Sequence, residues 1–348
     1  MEKILITGGA GFIGSHTAAL MISQGYEIII VDNYSNSNKN VLTQLKKITG
    51  KTPQAVELDI TDYNALQLFW EKNSDIDSVI HFAAHKAVGE SVEQPIKYYQ
   101  NNLKGLLNIL EIGLKYNLKN FVFSSSCTVY GQPETLPVTE ESPYAKAESP
   151  YGNTKKICED ILHDLNRSNA PIRIVALRYF NPIGAHPTGL IGELPIGVPN
   201  NLIPFITQTA AGIRKQLSIF GNDYNTPDGT CIRDYIDVND LGEAHLAALK
   251  YLQKCNGDSH MAIFNIGTGK GLSVKELVDA FEESTGVNVP YKYADRRPGD
   301  IEQIWAETSL ANKTLHWKAK TPIKETLLNA WKWEKYYREV ILTAQSSN

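Results

Sequence analysis

Residues 5–16, LITGGAGFIGSH, set glycines at positions 8, 11 and 14 between an apolar run and a helical pattern, and few folds accommodate that arrangement. A glycine-rich turn that leaves a buried strand and opens a helix lets backbone approach a phosphate chain, with the free N–H groups of the helix N-terminus facing it. In this spacing Gly8 permits the tight turn, Gly11 the close approach to a pyrophosphate, and Gly14 the packing of helix on strand.

The rest of the chain supplies the alternation such a turn needs. Strand-length runs rich in Ile, Val or Phe recur as KILITGG, EIIIVDN, AVELDI, SVIHFAA, NFVFSSS and IRIVALRYFN, with helical segments such as 14–25 and 101–116 between them. The early runs alternate little, as strands buried on both faces do. The expected fold is α/β, a Rossmann-type doubly wound parallel sheet with a smaller α/β substrate-binding domain. Beyond about residue 180 the chain becomes rich in Gly, Pro and Asn, FNPIGAHPTGLIGELPIGVPNN, before a helix near 238–253 and a strand at AIFNIG. The expected division is 1–180 with 236–267 returning to it, against 181–235 with 268–348, the last helix running into a polar tail. In the segment from 101, Leu103, Leu106, Leu107, Leu110 and Leu114 form one stripe, while Ile109 and Ile112 fall off it. That is more apolar surface than one sheet face requires; a neighbouring helix or a partner subunit would cover it, and a homodimer is expected.

Among 348 residues the net charge is −4, with no basic block, so nucleic acid is not an expected partner. Cys127, Cys158, Cys231 and Cys255 are scattered without a CxxC pair, which suits reduced thiols in the cytoplasm and neither a disulfide framework nor a zinc site. No signal-peptide pattern opens the sequence, and no apolar run reaches the roughly 20 residues needed to span a bilayer. His81 and His85 in HFAAH imitate a metal pair, but at a strand end positions four apart do not converge, and no metal is expected.

Asp32 closes the second strand 18 residues past Gly14. A carboxylate there accepts hydrogen bonds from an adenosine ribose and repels a 2′-phosphate, which favours NAD over NADP. With a nicotinamide cofactor, SPYGNTK (149–155) becomes informative, because Tyr151 and Lys155 share a helix face. A base is needed for the hydroxyl proton of a carbinol, and lowering a tyrosine pKa from ~10 by ~3 units takes about 4 kcal/mol. One cation ~5 Å away supplies about 3 kcal/mol at an effective dielectric of ~20. Lys155 together with an oxidised nicotinamide would suffice; one cation alone would be marginal. Ser126, at the end of a strand, can offer the substrate oxygen a second hydrogen bond or serve as a strand-end cap.

The order TGGAGFIGSH, DN, HFAA, SSSCTVYG, SPYGNTK, RYFNPIGAH resembles the extended short-chain dehydrogenase/reductase superfamily over essentially the whole chain. Members oxidise C4 of a nucleotide sugar and differ in the fate of the keto sugar so formed. Where the dehydratases of this superfamily carry an Asp–Glu pair and the decarboxylases a Glu, this chain has Cys127 and Thr128, neither a competent acid or base for elimination at neutral pH. Hydride return to the other face of C4 is the remaining route, with NAD as a resident group. VPNNLIPF, LSIFGNDYNTPDGTCIRDYI and RRPGD are similar to the sugar-nucleotide site of UDP-hexose 4-epimerases. That resemblance implies a UDP-hexose substrate with Asn181 and Asn201 on the diphosphate or sugar, Arg233 and Arg297 on the phosphates, Phe220 beside uracil and Asp300 on the uridine ribose. For the cofactor it implies Phe12, Ile13, Asn33, Asn36, Asp59, Ile60, Phe82, Ala83, Lys86 and Asn101, with Tyr151, Lys155 and Phe180 at the nicotinamide. Ile304 stands where the family carries a bulky Tyr or a small Cys that gates N-acetylated hexoses.

Overall fold

A computed structural model describes residues 3–297 and 299–342. Six strands come first: β1 (Lys3–Thr7), β2 (Glu27–Asp32), β3 (Gln54–Glu57), β4 (Ile76–His81), β5 (Asn120–Ser126) and β6 (Arg173–Tyr179). Four short ones come next, β7 (Asn181–Ile183), β8 (Leu217–Phe220), β9 (Ile232–Arg233) and β10 (Tyr235–Asp237), and then β11 (His260–Ile266). The main sheet has seven strands, all parallel, in the order β11-β6-β5-β4-β1-β2-β3. The order reverses between β1 and β4, so the loops leaving these two strands diverge to opposite faces and open a crevice between them.

Along β1 the side chains alternate between two cores. Ile4 and Ile6 pack under helices Phe12–Ser23 and Val238–Lys254, whereas Leu5 packs under Tyr63–Glu71, Pro95–Lys115 and Pro150–Arg167. Both faces exclude water, which is why the strands read as continuous apolar runs. The helix expected from 101 begins at Pro95, where a missing N–H costs nothing. Its inward face is formed by Ile109 and Ile112 with Leu106 and Leu110, all buried, so the isoleucines off the leucine stripe are covered by the chain's own sheet. Leu107 stays 48% exposed, because the helix turns that side away from sheet and neighbouring helices.

The remaining strands, β12 (Leu272–Ser273), β13 (Tyr291–Ala294) and β14 (Gln303–Ile304), complete small sheets β10-β7, β12-β9-β14 and β13-β8. A third core lies here, with Ile203, Ile206, Leu217, Ile219, Leu277, Phe281 and Leu327. The helix Val274–Thr285 starts on a reciprocal capping box between Ser273 and Glu276. Ala311, Leu315 and Trp317, which the expected division at 268 places in the smaller domain, pack instead into the core beneath Val238–Lys254. The polar tail lies, from residue 343 on, outside the described residues. Among those described, no helix is long and apolar enough to cross a membrane.

Candidate active site

The glycine turn lies at the crevice. A Cβ on Gly8, whose φ is +68°, would sit 2.7 Å from the Ala83 backbone nitrogen, and one on Gly14 would sit 2.3 Å from the Gly8 carbonyl oxygen. Gly11 is the N-cap of helix Phe12–Ser23 and brings no capping side chain, so no N-cap side chain competes for the N–H groups of the first turn, which contains Phe12 and Ile13. A cradle that any Cβ would fill, in front of free helix N–H groups, fits a dinucleotide pyrophosphate. Asp32 is buried and accepts from Ala10 N at 3.0 Å, Tyr34 N at 2.9 Å and Ser37 Oγ at 2.9 Å, which ties the glycine turn to the end of β2. Asn33 donates to Asp59 at 3.1 Å. Partial burial pushes the Asp59 carboxyl up, but hydrogen bonds from Thr61 and Asn33 outweigh it and hold the group below its ordinary range. Asn36 is exposed in the same loop as Asn33, and buried Ile60 accepts from Asn108 through its carbonyl at 2.9 Å.

Phe82 and Ala83 come directly after β4; Phe82 N donates to Thr7 O at 3.0 Å and its ring lies 4.6 Å from that of His245. Asn101 donates to Asn102 Oδ1 at 2.9 Å. Asn102 carries no sequence signal of its own, yet its side chain accepts from His85 N at 2.9 Å and donates to Thr154 at 3.0 Å, clamping the loop after β4 to the tyrosine helix. His81 hydrogen-bonds Thr7 and stacks on Phe123, while His85 packs against Tyr98, so the two imidazoles face different surroundings.

Tyr151 and Lys155 lie in the first turns of Pro150–Arg167, whose start is fixed by Pro150 and by Ser149 capping Gly152 N at 3.1 Å. Ser126 caps the turn after β5, accepting from Thr128 N at 3.2 Å and Thr128 Oγ1 at 3.0 Å. The strand-end cap is therefore real, and the same hydroxyl lies close enough to the Tyr151 phenol to oppose its rise. Lys155 and an oxidised nicotinamide are expected to lower the tyrosine together; among the protein's own groups, burial dominates. The Lys155 ammonium is committed to Ser124 O at 2.5 Å and lies 4.8 Å from the Phe123 ring centre. Burial pushes the Tyr151 phenol up to about 12, with Ser126 opposing it, and burial pushes Lys155 down to about 8 against Cys158 and Glu159.

On the far side of the crevice Phe180 is buried with Cys127, Val129 and Ile304, and Asn181 N donates to Asp234 O at 2.9 Å. Arg233 donates to Ile232 O at 2.9 Å, and its charge reaches the Cys127 thiol beside Ser126. Phe220, Arg297 and Asp300 come together: the guanidinium lies 5.6 Å from the Phe220 ring centre and 2.7 Å from the Asp300 carboxylate. The arginine and aspartate, expected on different parts of a nucleotide, are thus one ion pair. Asn201 precedes helix Leu202–Ala210 and donates to Glu193.

A doubly wound parallel sheet with a glycine turn in its crevice, and Ser126, Tyr151 and Lys155 off β5 and the next helix, defines an extended short-chain dehydrogenase/reductase. The family model described as GDP-mannose 4,6 dehydratase matches residues 5–329. The UDP-glucose 4-epimerase of Bacillus subtilis (strain 168) is 50% identical over 332 residues, 95% of this chain and 96% of that one. The chain therefore belongs to the family of that model and, within it, to the UDP-glucose 4-epimerases. Two crystal structures are close. One, of UDP-glucose 4-epimerase from Stenotrophomonas maltophila with bound NAD and formylated UDP-arabinopyranose, has a TM-score of 0.93 at 42% identity, covering 97% of this chain and 99% of that one. The other, from Bifidobacterium longum in complex with NAD+ and UDP, has a TM-score of 0.92 at 43% identity, with coverage of 97% and 99%.

Proposed function

We propose that this protein interconverts UDP-galactose and UDP-glucose by inverting C4. NAD, when bound, supplies a carrier that takes a hydride from C4 and gives it back. The glycine turn with Phe12 and Ile13 would hold its pyrophosphate and Asp32 its adenosine ribose. Asn33, Asn36, Asp59, Ile60, Phe82, Ala83, Lys86 and Asn101 would line the rest, and Phe180 would flank the nicotinamide. Tyr151 Oη takes the proton of the 4-hydroxyl as the C4–H electron pair leaves, and Ser126 Oγ holds the same oxygen. Lys155, held by Ser124 O, would add its charge to that of the oxidised nicotinamide in drawing the phenol down. On return the same phenol gives the proton back to O4. Arg233, Arg297, Asn181 and Asn201 would grip the diphosphate, with Phe220 and Asp300 on the uridine, so that the hexose alone is left free to rotate.

The observation that carries this reading is the pair of residues directly after Ser126. Burial pushes the Cys127 thiol up to about 12, and the Thr128 hydroxyl is committed to Ser126. No group is placed there to drive loss of water or carbon dioxide, so a 4-keto sugar has hydride return as its outlet. We further infer a homodimer through the outer face of Pro95–Lys115, and a cytoplasmic setting in which the four unpaired thiols stay reduced. The test is to incubate the protein with UDP-galactose, without added NAD, and follow products by NMR. UDP-glucose should appear and approach a fixed ratio. Reduced nicotinamide accumulating in proportion to sugar consumed, or a deoxy or pentose product, would overturn the proposal.

A further inference from the structure

Lys86 and Asn201 belong to opposite walls of the crevice, and one carboxylate holds both. Glu193 Oε1 lies 3.0 Å from Lys86 Nζ and 2.5 Å from Asn201 Nδ2. Its side chain is 10% exposed against 46% for Lys86, so the carboxylate is the buried half of the pair. The backbone beneath is fixed as well: Trp333 Nε1 donates to Glu193 O at 3.1 Å, and a Cβ on Gly192 would sit 2.4 Å from the Trp333 ring. Helix Ile323–Tyr336 thereby presses this segment into place.

We infer that Glu193 is a positioning residue that joins the cofactor wall to the substrate wall. This rests on the reading that Lys86 serves the dinucleotide and Asn201 the UDP moiety. Each is a donor that would swing freely without an acceptor; a shared carboxylate fixes the Asn201 amide and, in the loop after β4, the Lys86 ammonium before either ligand arrives. A single rigid anchor for both also couples them, so that ordering one side orders the other.

Calorimetric titration of UDP into the protein as purified, beside steady-state kinetics with UDP-galactose, tests this. Glu193→Ala should weaken UDP binding about tenfold and raise KM in parallel, with kcat falling less than about threefold. Glu193→Gln, whose amide oxygen still accepts from Asn201, should recover most of the UDP affinity. Unchanged UDP affinity in Glu193→Ala overturns the inference. So does equal weakening in both variants accompanied by equal loss of melting temperature, which marks a merely structural residue. Should Glu193→Ala not fold, Glu193→Ser, too short to reach Asn201, is taken through a cycle with Asn201→Ala in the same titration, and strictly additive losses overturn it. Wild-type protein that binds UDP yet leaves UDP-galactose unchanged defeats the epimerase reading alone. Full wild-type turnover with an indifferent Glu193→Ala defeats this inference alone.

Discussion

Tyr151 and Lys155 are shifted in opposite senses by the same burial, the phenol upward and the ammonium downward, each toward its neutral form. Tyr151→Phe removes the proton acceptor and little else, so turnover should fall about 10²- to 10⁴-fold while calorimetric UDP affinity stays within a factor of two. Lys155 makes a pH prediction with a definite sign. Its folded value of about 8 lies below the ordinary 10.5, so between these limits the unfolded chain binds more protons and the wild type gains stability as pH rises. Relative to wild type, Lys155→Met should therefore lose ground from pH 8 to 10, by roughly 3 kcal/mol at most, as measured by urea unfolding at both values. A flat difference would mean the lysine is not held below its free value. The pairing of Tyr151 with Lys155 on one helix face was legible from their spacing. The direction of the tyrosine shift was not, because spacing says nothing about how completely a helix face is covered.

Between elements, the tyrosine helix is fastened to the sheet by a polar cluster. Glu159 and Arg178 are both almost wholly buried and pair at 2.6 Å. Tyr144 donates to Glu159 at 2.6 Å, Ser125 donates to it also, and Arg178 donates to the Tyr130 hydroxyl at 2.9 Å. Tyr130 in turn donates to Asn265 at 2.6 Å, which joins the turn after β5 to β11. Arg178→Met would strand a buried carboxylate and should cost about 3–5 kcal/mol in urea unfolding. Glu159→Leu added to it should restore most of that loss, since two apolar groups leave no orphaned charge. None of this cluster was legible in the sequence, because its bonded partners lie as far as 135 positions apart and carry no local period. The strands and helices themselves were legible, since two-sided burial and helical spacing act over a few residues. The start of Pro95–Lys115 escapes a pattern built on leucines, because the helix begins at a proline ahead of the first of them.

For the whole molecule, the outer ridge of Pro95–Lys115 bears on assembly. Ile96 is 65% exposed and Leu107 48%, and with Leu103 and Leu114 they fall on one line along the helix. If a second copy covers this ridge, Leu107→Glu should convert dimer to monomer in analytical ultracentrifugation, with little change in the melting temperature of the isolated chain. A wild-type monomer at micromolar concentration would remove the proposed interface. The doubly wound sheet was legible from the order of apolar runs. The small pairings β13-β8 and β12-β9-β14 were not, since strands of two to four residues carry too little pattern to register. The order of the large sheet also bears on how the chain is made. β6 is flanked by β5 and by β11, and β11 is encoded only after the whole of the 181–259 excursion. On the ribosome, then, an apolar strand waits with one bare edge until residue 266 has emerged, open throughout to mispairing with another nascent chain.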